Sequence, residues 1–371
     1  MRKLLLLVAL GLLGCGQEDS GTESGFPGRV SDLTPEAMFV DDLNVVWDGA
    51  AYSVVFVARL DGDPDLDRVT FLSRISTSGE VLTEPTIVSP DVNTDGKGFG
   101  LIVVEPAGSR PRYRIFYKDG NNDCWSLGFD STAATEGPPT RHEDYCDGIS
   151  GAATDAGTWG ALYRDYQNNA LRFIAPTGAD VEIEPGTTPP YAPRLAWNPS
   201  RGTFLAAWKE NGRIQTAELR PDGTVVAPSK VLLDDGTDQS PAILALDGEQ
   251  AIVCWWADSN MQFLAMDGAG TALWSAPRAL LPRNRAESLD LDMTTVAGQA
   301  YLSWQGDSET SLPQIYDGRV DLADGALVDA HVVSDGVHWF GRPQIAAGPD
   351  GQALIFEGTV AGSERVYVAV P

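Results

Sequence analysis

The chain has 371 residues, of which 43% are hydrophobic and 21% are charged, and its formal net charge is −26. This hydrophobic content excludes an intrinsically disordered chain, and the length suits one large all-β domain or two ordinary domains. The negative charge argues against nucleic acid as a partner, because phosphates would be repelled. A cation or a basic partner stays open, with solubility as the simpler explanation of the acidity.

The first fifteen residues, MRKLLLLVALGLLGC, have the form of a secretion signal. The basic pair Arg2 and Lys3 precedes a short apolar run, residues 4–13, which is shorter than the roughly 20 residues that span a bilayer. The end of the run, Leu-Leu-Gly-Cys15, resembles a bacterial lipobox. The resemblance implies a signal peptide over residues 1–14 and lipidation of Cys15. An ordinary cleaved signal peptide with an incidental cysteine is the alternative.

Residues 15–28 are expected to be the lipidated Cys15 and a flexible tether, because the segment is small, polar and rich in Gly and Ser. Removal of residues 1–14 leaves 24 basic against 52 acidic residues, a net charge of −28. Gly16 rather than Asp follows the cysteine, which in two-membrane bacteria favours the outer membrane. The resemblance therefore implies a lipid-anchored protein of the cell envelope, with its periplasmic or surface face left open.

From residue 29 the chain repeats. Apolar runs that end in a large residue recur seven times, 45 to 60 residues apart, at Phe56, Val103, Tyr163, Trp208, Trp255, Trp304 and Phe356. A turn signal such as Asp48-Gly49 precedes each run, because Gly, Asn and Asp allow the positive φ of tight hairpins. Further short apolar runs flank these, so each unit is predicted to contain four antiparallel strands.

Four-stranded units at this period indicate blades of a β-propeller. We predict an all-β propeller of seven four-stranded blades over residues 29–371, with blade two and the start of blade three as the weakest fit to the repeat. The last unit stops after three strands at RVYVAVP, so residues 29–33 are expected to complete it and to close the ring by pairing the terminal strands. A sandwich of two β-domains is the alternative. The whole resembles lipid-anchored bacterial β-propeller proteins, a likeness of architecture without a functional signature.

Three cysteines follow Cys15. Cys124 and Cys146 lie in polar, turn-rich sequence and are predicted to form a disulfide in an oxidising envelope. A metal site of Cys124, His142 and Cys146 is the alternative, which lacks a fourth ligand and a standard spacing. Cys254 lies in the apolar run AIVCWW and is expected to be a buried thiol.

The segment DGDPDLD is a weak candidate for a calcium loop. Its acids alternate as calcium ligands do, at Asp61, Asp63, Asp65 and Asp67. The glycine and the closing glutamate of such a loop are missing, so a solvated acidic loop is the simpler interpretation. We predict no cofactor and keep calcium open at this position.

Acids near the ends of the second strands are candidates for a binding face. They occur in six of the seven units, at Glu105, Asp165, Glu210, Asp258, Asp307 and Glu357. Equivalent strand ends share one face of a propeller, so these acids could form a ring that attracts a cation or a basic partner. The plainer alternative is that polar residues simply end buried strands.

The tryptophans divide into two groups. Trp197 and Trp208 recur at equivalent positions of the units and are predicted to pack between them. Trp125, Trp256, Trp274 and Trp339 do not follow the repeat, and Trp125, Trp256 and Trp339 are candidates for stacking on a ligand at the same face.

The sequence lacks recognisable catalytic motifs. It contains no Gly-x-Ser-x-Gly elbow and no phosphate-binding GxxxxGK loop, and its three histidines lie in different units. This favours a non-catalytic propeller that binds or scaffolds a protein or glycan partner in the envelope. We also expect the propeller to be monomeric. An envelope polysaccharide hydrolase or lyase is the alternative.

Overall fold

The computed structural model describes residues 29–34, 38–60, 68–89, 100–105, 110–119, 121–143, 146–184, 190–234, 242–245, 250–257, 260–282, 291–296, 299–307, 312–321, 326–334, 339–349, 351–360 and 363–370. The regular structure within these ranges is all β, which confirms the predicted class. None of the described segments forms a helix of the length and hydropathy needed to cross a bilayer.

The strands follow one another closely along the chain. In order they are β1 Arg29–Asp32, β2 Met38–Trp47, β3 Tyr52–Leu60, β4 Arg68–Ile75, β5 Val81–Ser89, β6 Gly100–Glu105, β7 Arg112–Lys118, β8 Cys124–Asp130, β9 Thr140–Glu143, β10 Cys146–Ala153, β11 Trp159–Asp165, β12 Ala170–Ile174, β13 Asp180–Glu184, β14 Tyr191–Asn198, β15 Thr203–Glu210, β16 Arg213–Leu219, β17 Val225–Asp234, β18 Ala242–Ala245, β19 Gln250–Ala257, β20 Asn260–Asp267, β21 Arg278–Pro282, β22 Leu291–Val296, β23 Gln299–Asp307, β24 Pro313–Val320, β25 Leu327–Val332, β26 Trp339–Gly348, β27 Gly351–Val360 and β28 Ser363–Val370.

These described strands form six antiparallel sheets. Five sheets contain four consecutive strands each, β6–β9, β10–β13, β14–β17, β18–β21 and β22–β25, and the sixth contains the other eight strands. We number the sets of four strands as repeats: repeat 1 is β2–β5, repeats 2 to 6 are the five four-stranded sheets, and repeat 7 is β26–β28 with β1.

Counted as hydrogen-bonded sheets, the blades therefore number six, and the prediction of seven separate blades is corrected. The physical reason lies where the ring closes. Strand β2 pairs with β28 at Met38 and Glu364 in addition to its pairing with β3, so the first and last repeats merge into one sheet of eight strands.

The two ends of the described chain pair with each other, as the sequence predicts. Strand β1 runs antiparallel to β28, with Arg29 opposite Val370 and Asp32 opposite Tyr367. Beyond this ladder the Val366 N–H donates to Thr34 Oγ1 at 2.9 Å, and Arg365 forms an ion pair with Asp32. The pairing removes two strand edges that could otherwise aggregate.

The repeats are arranged in a ring. The first strands of neighbouring repeats contact one another in the order β2, β6, β10, β14, β18, β22, β26, and β26 contacts β2. The first strands are therefore innermost, around a central channel, and the fourth strands lie outside. On these inner strands, buried residues such as Leu43 and Leu195 alternate with half-buried ones such as Asn44 and Arg194. Because the first strands are innermost, we assign the half-buried set to the channel wall.

Large side chains of the second strands fill the space between neighbouring repeats. Trp208 is fully buried and belongs to one apolar cluster with Phe173 of the preceding repeat, which confirms its predicted packing role. Trp197 packs edge-on against Phe204, with ring centroids 5.0 Å apart. Cys254 is a buried free thiol, also as predicted.

Repeat 2 departs from its predicted register. The apolar run that ends at Val103 forms the first strand, β6, and the second strand is β7, in which Phe116 lies opposite Gly100. Charged residues such as Arg112 and Arg114 alternate along β7 and hide its place in the repeat. Glu105 consequently ends a first strand, and the acid beyond the second strand of this repeat is Asp119.

Candidate ligand-binding face

One face of the ring carries the ends of all second strands. Every repeat has the same antiparallel strand order, so the second strands run in the same direction and end on the same side. The first strands begin on that side. We call it the upper face, and it is the face to which the sequence assigns the candidate binding residues.

The described acids that end second strands on the upper face are held in local contacts. Asp165 is buried, and its Oδ1 accepts the N–H groups of Gln167 and Asn168 at 3.0 Å each, which caps the turn after β11. Glu210 is buried and accepts a hydrogen bond from Gln215. Glu357 is buried 3.5 Å from the Arg342 guanidinium. These carboxylates stabilise the face rather than project from it.

The remaining predicted acids divide in two. Glu105 is exposed and pairs with Arg112 at 3.0 Å. It ends the first strand β6 rather than a second strand, so its predicted equivalence to the other acids is wrong. Asp307 ends β23, but its side chain lies outside the described part of the structure, as does the whole of Asp258.

The predicted lipidation site and the candidate calcium ligands also lie outside the described residues, at Cys15, Asp61, Asp63, Asp65 and Asp67. Within the residues that are described, no group of three or more His, Cys, Asp and Glu side chains is placed to hold a metal ion. Lipidation and the calcium loop therefore stay predictions.

Trp125 lies half-buried on β8, beside the loop that joins the second and third strands of repeat 2. Its indole N–H donates to Asp119 Oδ2 at 3.0 Å, while Asp119 Oδ1 accepts the N–H groups of Asn121 and Asp123. Trp256 and Trp339 belong to β19 and β26, with side chains outside the described part. Trp274 packs edge-on against Phe263 at 5.4 Å.

A disulfide joins Cys124 of repeat 2 to Cys146 of repeat 3, with a Cα–Cα distance of 5.5 Å. Both residues are buried, and the Cys146 N–H also donates to the Asn122 carbonyl at 2.7 Å. The bond leaves neither sulfur as a thiolate, so the alternative metal site with His142 is not formed. Cys146 lies directly opposite Asp165, so the disulfide supports the turn that follows β11.

His142 faces a serine instead of a metal. Its Nε2 lies 2.8 Å from Ser126 Oγ, and Arg114 Nη1 donates to the same oxygen at 3.1 Å. Burial, together with the charge of Arg114, lowers the pKa of His142 to about 4. Ser126 is fully buried, so a substrate cannot reach it. The pair joins polar groups inside the fold and does not form a hydrolytic site.

Two exposed tyrosines flank one arginine on the upper face. The Arg164 guanidinium lies 4.5 Å from the ring centroid of Tyr166 and 4.4 Å from that of Tyr191. Lys209 Nζ lies 6.0 Å from the centroid of the Tyr191 ring. Arg164 is 4% exposed, whereas Tyr166 is 59% and Tyr191 46% exposed. We call these four residues the tyrosine platform, in which cation–π contacts hold the rings in place.

The platform spans the boundary between two repeats. Arg164 lies near the end of β11, Tyr166 follows in the turn, and Tyr191 begins the first strand of repeat 4. A β-bulge follows Tyr191: Ala192 and Pro193 both lie opposite Trp208, and Ala192 has a φ of 44°. Such bulges re-aim a strand end, and they are common beside functional sites.

Sequence reasoning missed the platform. In the sequence, Arg164 and Lys209 have the pattern of polar residues that end buried strands, and Tyr166 has the pattern of a turn residue. One signal could have identified Tyr191, because it stands between Pro190 and Pro193 rather than within an apolar run. The contact between residues 164 and 191 appears only when neighbouring repeats are placed side by side.

Comparison with solved structures supports the architecture. The chain is similar to AofleA from Arthrobotrys oligospora (12% identity, 83% of this chain and 89% of that chain, TM-score 0.51). It is also similar to the SapL1 lectin in complex with alpha methyl fucoside (11%, 80% and 95%, 0.50). The NanB sialidase from Streptococcus pneumoniae is a third similar structure (9%, 92% and 70%, 0.50).

These identities show the fold alone. The fold is a β-propeller. No family model matches the sequence, and no curated protein matches it either.

Proposed function

We propose that this protein is a non-catalytic, glycan-binding lipoprotein of the cell envelope. The observation that carries the proposal is the tyrosine platform. Sugar rings have apolar C–H faces that pack against aromatic rings, and tyrosine combines such a ring with a polar tip. Tyr166 and Tyr191 present two such rings at one repeat boundary, with about half of each side chain open to solvent.

The platform is organised before a ligand arrives. The two rings are held by the same buried guanidinium, so binding would immobilise few new side-chain rotamers, which lowers its entropic cost. The exposed residue Gln167 follows Tyr166 directly in the turn after β11, whereas the Asn168 amide donates to Asp165 Oδ2 at 2.7 Å. The Gln167 amide can provide a directional hydrogen bond of the kind by which a binding site distinguishes one arrangement of hydroxyls from another.

A binding role fits the site better than polysaccharide cleavage does. Glycoside hydrolysis requires two carboxyl groups that reach the scissile bond from opposite sides. The acids that directly follow Arg164 and Lys209 in the chain, Asp165 and Glu210, are buried and accept hydrogen bonds from their own repeats. The structural comparisons include both a lectin and a sialidase, so the platform rather than the fold supports binding.

The test is a screen of the full-length chain against envelope and mucin-type glycans, scored for retention and for cleavage products. We expect retention without turnover, and Tyr166→Ala is expected to weaken it by about tenfold through loss of one stacking surface. Leu82→Ala, which shortens an equally exposed apolar side chain on β5, is the matched control and should bind normally. Cleavage of a retained glycan would contradict the proposal.

The proposed location depends on the lipobox and the tether. Cys15 would carry the lipid, and residues 16–28 would connect it to the fold, whose first strand begins at Arg29. Wild-type cells should incorporate labelled palmitate into the protein, and the Cys15→Ala variant should not. Equal labelling of the two would refute the anchor.

A further inference from the structure

The register of the first strands places polar side chains at one level of the central channel. Each of these polar residues is paired across the sheet with a residue of the second strand. That partner directly precedes the large residue of the second strand, such as Phe56 or Trp208. The polar residues are Asn44, Ser150, Arg194, Asp292 and Gln344, opposite Val55, Leu162, Ala207, Ser303 and Ile355. All five are half-buried. We call them the channel layer, and its equivalents in repeats 2 and 5 are Leu101 and Ala242.

Two members of the channel layer also connect neighbouring repeats. The Leu195 N–H donates to Ser150 Oγ at 3.1 Å, and the Ile345 N–H donates to Asp292 Oδ2 at 2.9 Å. Each bond joins a channel side chain to the backbone of the following first strand. The carboxylate of Asp292 is therefore fixed in position at the channel wall.

Arg194 is the cation of the channel layer. Its Nη1 donates to the carbonyl of Pro193 at 3.1 Å, which uses one of the five N–H donors of the guanidinium. Among the residues that the structure describes, no ion pair within 4.0 Å includes Arg194. Burial lowers the pKa of Arg194, and the charge of Asp292 opposes that shift.

We propose that the channel layer binds one small carboxylate that also carries a hydroxyl or ammonium donor. The ligand carboxylate would accept paired hydrogen bonds from the planar Arg194 guanidinium, and the ligand donor would face the carboxylate of Asp292. A cation and an anion that line the same enclosed space recognise such a molecule by its two ends. The site is separate from the tyrosine platform, which contributes none of its residues.

To test this proposal, three probes are titrated separately into the full-length chain in detergent micelles. Binding is measured by calorimetry and by ligand-observed NMR. The probes are lactate, which adds a hydroxyl donor, alanine, which adds an ammonium donor, and acetate, which has neither. Lactate or alanine should bind at least about tenfold more tightly than acetate. Whichever of the two binds more tightly identifies the donor that Asp292 selects.

Variants assign the binding to the channel. Arg194→Gln should lower the affinity by about tenfold or more, whereas Arg220→Gln, at an exposed turn of the same repeat, should leave it unchanged. Asp292→Asn should reduce the preference of the site for lactate or alanine over acetate. Arg194→Lys keeps the charge without the planar donor pair, and it should also weaken binding if the glutamine variant fails to fold.

Three outcomes would overturn the proposal: no binding of any probe, equal binding of all three, or full affinity in the folded Arg194 variants. Tyr166→Ala should leave lactate and alanine binding intact. Failure of the channel site and failure of the glycan-binding function are therefore separate results.

Discussion

Two carboxyl groups in this protein, those of the buried Asp48 and the half-buried Asp292, have opposite pKa shifts because their surroundings differ. Burial raises the pKa of Asp48, but hydrogen bonds from four donors outweigh it and the net shift is downward; the donors are Tyr113, Ser53, the Ala51 N–H and Arg74. In the channel, burial raises the pKa of Asp292 to about 6, against the lowering by backbone N–H groups and Arg194. The protonated form of Asp292 is thus favoured by folding.

This shift predicts how Asp292 affects stability as the pH changes. A folded pKa above the unfolded value means that the stabilising contribution is complete below about 4 and is lost as the pH rises through 6. Asp292→Asn removes the half-buried charge and keeps an oxygen for the Ile345 N–H. We expect this variant to be more stable than wild type at pH 7 by about 1–3 kcal/mol, with the difference vanishing near pH 4.

Urea unfolding at pH 4, 5, 6 and 7 measures this difference. Asp155→Asn, in an exposed turn, is the control and should show no such dependence on pH. A constant difference between Asp292→Asn and wild type at all four values would show that burial does not perturb Asp292.

At the scale of single residues, the sequence predicts burial better than it predicts contacts between repeats. The burial of Trp208 and Cys254 was predicted correctly. Apolar runs at a regular period indicate which strands are covered by neighbouring sheets. The tyrosine platform was not predictable in this way. Arg164 and Tyr191 are separated in the chain by β12 and β13, and the two prolines that flank Tyr191 and Ala192 do not indicate which residue of the preceding repeat Tyr191 contacts.

At the scale of strands, the sequence predicts the repeating hairpins well except in repeat 2. The runs that end at Phe56, Tyr163, Trp208, Trp255, Trp304 and Phe356 all lie in second strands. In repeat 2 the second strand carries Arg112 and Arg114, so its neighbour β6 has the more apolar sequence. Arg114 is accommodated because its guanidinium stacks on Trp159 of repeat 3, 4.9 Å from the ring centroid, which is a contact between repeats.

The disulfide is predicted to stabilise the same region. Cys124 and Cys146 are 22 residues apart, and cross-linking a loop of this size restricts the unfolded chain by about 3 kcal/mol. The Cys124→Ala/Cys146→Ala double variant should lose about this amount. Because Cys146 lies opposite Asp165, next to Arg164, the double variant should also bind glycan less tightly.

Thermal melts with and without a strong reductant provide the control for this prediction. The reductant should lower the Tm of the wild type and leave the double variant unchanged. A double variant as stable as wild type would show that the backbone hydrogen bond between Cys146 and Asn122 suffices to hold the segment.

At the scale of the whole molecule, the ring arrangement accounts for the pairing of the two ends of the chain and for the number of glycan-binding sites. The sequence predicted closure because the last unit lacks a fourth strand, and β1 supplies it. It did not predict the pairing of Met38 with Glu364, which joins the first and last repeats, since one backbone bridge has no sequence signature.

The ring also limits how many platforms one chain contains. The residues equivalent to Arg164 in the other repeats are Val57, Tyr117, Lys209, Trp256, Gln305 and Glu357. None of them is an arginine, so the stacked arrangement belongs to the boundary of repeats 3 and 4. Although the architecture repeats, we expect one glycan-binding site per chain.

The most direct test of this account is calorimetric titration of the full-length chain with a glycan that the screen retains. We predict one bound glycan per chain and loss of measurable binding in the Tyr166→Ala/Tyr191→Ala double variant, with unaltered thermal unfolding. Several equivalents per chain, or an affinity unchanged by the double substitution, would contradict the claim that the tyrosine platform is the binding site.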